Sequence, residues 1–124
     1  MAGTIVANTI NTDTGLYSTN NAYLGIAKAW CIYNGATSSI LSSFNISSVT
    51  VNGTGDYTFN FTTAMNSANY AVATSGSNGN ASGLIGIVRS GNTAPTSSAV
   101  RIGYIDTSAT GQSGNYQSMT VFSS

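Results

Sequence analysis

The 124-residue chain carries three basic and three acidic residues, no histidine and no net charge, with 5% charged residues in all, against about 25% in ordinary soluble domains. Its length fits one domain spanning 1–124, and its neutrality removes long-range steering towards nucleic acid or an anionic membrane. The single cysteine, Cys31, excludes an internal disulfide and a multi-cysteine zinc site.

Serine, threonine and asparagine make up about 40% of the residues, far above the usual share, so neutral hydroxyl and amide groups must keep the chain soluble. No stretch has the apolar length of a transmembrane helix. The N-terminus, MAGTIVANTINTDTG, lacks the basic start and apolar run of a secretory signal, so the expectation is synthesis in a reducing cytoplasm. A protein with so little charge is poorly defended against self-association, which favours a closed oligomer.

Residues 3–10, GTIVANTI, predict a short strand ending in polar Asn11–Gly15. Within 1–15, an arm of this kind either edges the sheet or reaches a neighbouring subunit. Asn20-Asn21 marks a turn. From Gly25 to Asn34, Ile26, Lys28, Trp30 and Ile32 alternate with Ala27, Ala29, Cys31 and Tyr33, which predicts a strand with Cys31 as a buried, inert thiol.

The stretch Ser43–Val72 predicts a three-stranded meander. Phe44 and Ile46, then Val49 and Val51, are apolar at every second position, with a serine pair between them that can shift the register. Tyr57, Phe59 and Phe61 alternate with Thr58, Asn60 and Thr62, and Tyr70 and Val72 repeat the pattern. Asn52-Gly53-Thr54-Gly55-Asp56 is a hairpin turn signal with room for a bulge. Gly76–Gly83 reads as an exposed loop. The apolar run Gly83–Arg89 predicts a strand covered on both sides or lying at a subunit interface. Pro95 falls in the following loop, and Val100, Ile102 and Tyr104 form the next alternating strand. After a loop at Thr107–Asn115, Tyr116–Ser124 closes the chain with Met119 and Val121 opposite Thr120 and Phe122. Eight or nine strands with turns every ten residues or so predict an all-β, antiparallel, jelly-roll-like sandwich.

Catalytic chemistry has little to work with. Without histidine no Ser/His/Asp or Cys/His nucleophile system can form. Asp13 and Asp56 sit among Gly and Thr as turn residues, and Asp106 either caps a strand end or pairs with an arginine. The glycine-rich run has no GK[ST] to cradle phosphate, and no metal or cofactor is expected. Lys28, Arg89 and Arg101 form no basic run, so nucleic-acid binding is not expected. The sequons at Asn45, Asn52, Asn60 and Asn80 arise readily in such a composition, and glycosylation is discounted. Of the aromatic residues, Trp30, Tyr57, Tyr70 and Tyr104 read as core or interface. Tyr17, Tyr23 and Tyr116 lie near loops and are the candidates for ligand contact, since aromatic faces stack on sugar rings.

The segment GIAKAWCIYNGA (Gly25–Ala36), followed by SFNISSVTVNGTGDYTFNFTTAMNSANYAV, resembles a module of virion structural proteins from tailed bacteriophages, notably marine and cyanobacterial ones. There it belongs to tail-fibre-like or decoration-type proteins. The resemblance runs through Lys28-Ala29-Trp30, Phe44-Asn45, Asn52–Thr58, Asn60–Met65 and Ala68–Tyr70, and through the opening GTIVANTINTDTG. It covers residues 3–73, and Asn66 stands where such proteins often have proline. It implies a non-enzymatic particle component, typically a homotrimer contacting other virion proteins, with its C-terminal half outward. An alternative is a receptor- or glycan-binding tip for host recognition, with loops 76–83, 90–98 and 107–115 as the contact surface.

Overall fold

A computed structural model describes residues 3, 6–7, 9–12, 15–18, 23–79, 83–89, 91 and 93–123. The fold is all-β. Its strands are β1 (Thr9–Thr12), β2 (Gly15–Ser18), β3 (Ala29–Asn34), β4 (Ser39–Phe44), β5 (Ile46–Gly53), β6 (Asp56–Phe61), β7 (Ala71–Ser77), β8 (Gly83–Val88), β9 (Ala99–Ile105) and β10 (Tyr116–Phe122). β1 and β2 pair as a hairpin, while the other eight form one antiparallel sheet in the order β4-β3-β10-β7-β8-β9-β6-β5.

The sequence itself forces that sheet to curl. Eight strands laid flat would separate β4 from β5 by roughly 34 Å, yet these terminal strands are joined by Asn45 alone, which spans less than about 8 Å. The ends of the sheet must therefore meet at Asn45. The result is barrel-like and nearly closed, rather than the two separate sheets of the expected jelly-roll sandwich. Its thinnest seam lies between β7 and β8, whose paired residues are Gly76 with Leu84 and Ser77 with Gly83. Beyond them the Thr74 hydroxyl donates to the Gly86 carbonyl at 2.9 Å, a side chain standing in for a ladder bond.

Alternation explains the core. Ala29, Cys31 and Tyr33 of β3, Tyr57, Phe59 and Phe61 of β6, Val100, Ile102 and Tyr104 of β9, and Met119 and Val121 of β10 all point inward and are buried. Tyr33 meets Tyr57 and Phe59 edge to face, with centroids 4.9 and 6.2 Å apart, a favoured aromatic geometry. Buried phenols find acceptors, as they must: Tyr104 donates to the Ser118 carbonyl at 2.7 Å and Tyr57 to Ser113 Oγ at 2.9 Å. Outside, neutral side chains bond to one another. Asn60 Nδ2 reaches Ser48 Oγ at 3.1 Å and Thr50 Oγ1 at 3.2 Å, and Asn52 Nδ2 reaches Thr58 Oγ1 at 2.9 Å. These cross-strand amide–hydroxyl bonds give the Ser/Thr/Asn richness a structural use.

Several expectations change. The hairpin at 52–56 forms between β5 and β6, and the register shifts beside Ser47-Ser48 as the serine pair foretold. The third strand of the meander is not a neighbour, because β6 pairs with β9 while β7 pairs with β10 and β8. Within Gly25–Asn34 the strand begins at Ala29, after a helical turn at Tyr23–Gly25. Trp30, expected in the core or at an interface, is half-buried on the outer side of β3, outside the core. On β8 Leu84 is buried, but Ile85 and Ile87 stay exposed. The N-terminal strand falls at Thr9–Thr12, and β2 occupies residues read as turn and loop. Asp13, the Asn20-Asn21 turn and Asn80 lie outside the described residues.

Candidate binding groove

Where Asn45 closes the barrel, four stretches of chain enclose an open groove of about 540 Å³, lined by Tyr23, Lys28, Phe44, Asn45, residues 62–66 and Ser123. That volume falls within the range of small-molecule sites. Asn45 is its keystone. Its φ of 57° lies in the left-handed region that asparagine tolerates better than most side chains. In that conformation its amide donates to the Lys28 and Thr63 carbonyls, each at 3.0 Å, and its Oδ1 accepts from Thr63 N–H at 2.7 Å. One side chain thus binds the chain entering β3 to the chain leaving β6. Below it, buried Met65 anchors the 62–66 segment, and its N–H donates to the Ser97 carbonyl at 2.8 Å.

Two aromatic rings stand at the groove with roughly half their surface open: Tyr23 is 53% exposed and Phe44 53%. Lys28 fixes the first of them. Its Nζ donates to the Tyr23 carbonyl at 2.6 Å and sits 3.3 Å from the Tyr23 ring centroid, within cation–π range. The groove therefore combines aromatic faces, amide and hydroxyl groups, and one ammonium.

Of the candidate contact residues, Tyr23 lies in this groove. Tyr116 is exposed but starts β10, seven residues and about 23 Å of strand from groove-lining Ser123. Tyr17 lies on β2, paired in register with Ile10, and its side chain lies outside the described residues. The structure does not bring the three together. Nor do the three loops share one surface. The ends of β7 and β9 and the start of β10 put the described parts of 76–83 and 107–115 at the barrel end away from the groove. Of the 90–98 loop, Ser97 and Ser98 lie beside the groove's 62–66 segment, through Phe61 N–H to the Ser98 carbonyl and Met65 N–H to the Ser97 carbonyl.

The carboxylates are held by structural donors. Asp56 is not a simple turn residue: Arg101 grips it through Nε–Oδ1 and Nη2–Oδ2, both 2.8 Å, and Arg89 Nε lies 3.5 Å from Oδ2. The Arg101 hydrogen bonds hold its pKa below the usual carboxylate range. Asp106 takes the turn role instead, accepting from Thr110 N–H at 3.0 Å, Gln112 Nε2 at 2.9 Å and Ser108 N–H at 2.9 Å, and these bonds, Thr110 foremost, lower its pKa. A glycosidic acid needs a raised pKa, and both of these carboxyls shift the other way. Burial pushes the Cys31 thiol up to about 11, far from a nucleophile's range. Among the described residues no three His, Cys, Asp or Glu side chains gather as a metal site, and no helix is long and apolar enough to cross a membrane.

Sequence reasoning singled out Tyr23 but missed Lys28, Phe44 and Asn45, which it read as strand residues. The available signal was slight: Asn45 holds the ordinary polar position between Phe44 and Ile46, and only its tolerance of positive φ marks it as a place where the strand can break. Compared with family models, characterised proteins and solved structures, the chain matches none.

Proposed function

We propose that this chain is a non-enzymatic structural module that works as an oligomer, most simply the homotrimer of a tailed-phage virion surface, tail-fibre-like or decoration-type, that its sequence resembles. One observation carries the self-association. The terminal strands β4 and β5 have no outer partner among the described residues, and they expose Ile40, Leu41 and Val51, the last two at 55% and 50%. Unpaired edges with exposed aliphatic side chains and no flanking charge are surfaces that natural proteins cover. The non-catalytic part draws support from Asp56 and Asp106, each occupied by its own donors. Sedimentation velocity on wild type and on Leu41→Lys/Val51→Lys tests the reading. The expected result is an oligomer that the double variant dissociates without losing its β-sheet circular dichroism; equal sedimentation of the two would remove these edges from the interface.

The groove favours a second reading compatible with the first, a module that attaches to saccharide. Exposed aromatic rings beside amide and hydroxyl groups offer both the stacking face and the hydrogen bonds that a sugar ring uses.

A further inference from the structure

Lys28 is the one cation in the described structure that no carboxylate neutralises. Both ion pairs among the described residues belong to Asp56, with Arg101 and Arg89, and Asp106 lies with Asp56 at the opposite end of the barrel, where Tyr104 N–H reaches the Gly55 carbonyl and Asp106 N–H the Thr110 carbonyl. Among the described residues, the groove thus holds a cation with no carboxylate beside it. The ammonium is not floating: its contacts to the Tyr23 carbonyl and ring seat it over one Tyr23 face, use only part of its three-donor capacity among the described residues and leave it in the same groove as exposed Phe44. Asn45 fixes the same wall by binding the Lys28 carbonyl. An ammonium ordered in this way beside a stacking surface matches a ring that carries an anion at its edge.

We propose that the groove binds a carboxylated sugar, a uronic or sialic acid unit, with the ring against Phe44 and the carboxylate on Lys28 Nζ, itself seated over Tyr23. This deepens the saccharide reading and rests on it. The groove's neutral groups, Thr62, Thr63 and Asn66 among them, suit the sugar hydroxyls. The charge-assisted bond from Lys28 is the part that discriminates, because hydrogen bonds to charged groups are stronger than neutral ones.

The test is an NMR titration of the full chain, following the backbone amides of Lys28, Asn45 and 62–66. The probes are a trigalacturonate and sialyllactose, each against its methyl ester, which keeps the ring and removes the charge. The acids should bind about tenfold tighter than the esters at low salt, and the gap should narrow as salt rises. Lys28→Met should abolish the gap and Lys28→Arg restore it, while Phe44→Ala weakens acid and ester alike. Equal binding of acid and ester would overturn the carboxylate assignment and leave the saccharide reading standing. No shift at the groove with any probe would overturn both.

Discussion

Replacing Asn45 probes the link between backbone conformation and groove most sharply. Its side chain makes three hydrogen bonds, to the Lys28 carbonyl, the Thr63 carbonyl and Thr63 N–H, each worth about 1 kcal/mol net. Discounting the two that are solvent-exposed leaves about 2–3 kcal/mol lost in Asn45→Ala. Alanine at a φ of 57° adds about 1 kcal/mol of backbone strain that asparagine bears more easily. Asn45→Ala should therefore cost about 3–4 kcal/mol, or on the order of 10–15 °C in Tm for a domain of this size. Asn45→Gly loses the same bonds but adopts the positive φ freely, and should be less damaging than alanine by about 0.5 kcal/mol, the relieved strain less the cost of its greater unfolded-state entropy. Urea unfolding followed by far-ultraviolet circular dichroism, at one fixed protein concentration because the stability of the proposed oligomer would depend on it, measures both. An Asn45→Ala variant within 0.5 kcal/mol of wild type, the ordinary range for a surface substitution, would refute the keystone role. Equal losses for alanine and glycine would refute the strain argument.

Three further outcomes follow from the same geometry. Because Asp56 and Asp106 have folded-state pKa values below the usual carboxylate value, they stabilise the fold above about pH 4 and lose that contribution as pH falls through the lowered values; urea midpoints should drop below about pH 4, and Asp56→Asn should be less stable at neutrality with a shallower acid slope. Gly55 has a φ of +67° and sits against the backbone of Tyr104 and Gln112, whereas a Cβ on Gly53 would meet nothing. Gly55→Ala should thus cost at least about 2 kcal/mol and Gly53→Ala less than about 1 kcal/mol in the same unfolding assay. The buried Cys31 thiol, raised to about 11, should resist Ellman's reagent at pH 8 in the native protein and react at once in guanidinium.

What was legible in the sequence was local. Tyr57, Phe59 and Phe61 declared β6 because every second side chain faces the core, and Val100, Ile102 and Tyr104 declared β9 for the same reason. The 52–56 turn was visible too, although the positive φ falls on Gly55 and not on the Asn52-Gly53 pair that first marks it. What stayed hidden depends on residues far apart in the chain. The choice of β9 over β7 as partner of β6 is made across some forty residues, where no periodicity carries information. The β1–β2 hairpin, TINT and GLYS, has no apolar alternation to announce it. Asp56 looked like a turn residue because its partner Arg101 is 45 positions away. The groove was illegible for the same reason: Tyr23, Lys28, Phe44 and Thr63 come from three separate parts of the chain, and only the bond-making Asn45 between two strands hinted at a junction.

In the proposed oligomer, further copies of the chain cover the open edges of this nearly uncharged barrel. Light scattering coupled to size exclusion, repeated over a hundredfold dilution, tests it most directly. The expected mass is near three times the 12.6 kDa of one chain, unchanged on dilution. A stable particle of 12.6 kDa at every concentration would contradict it.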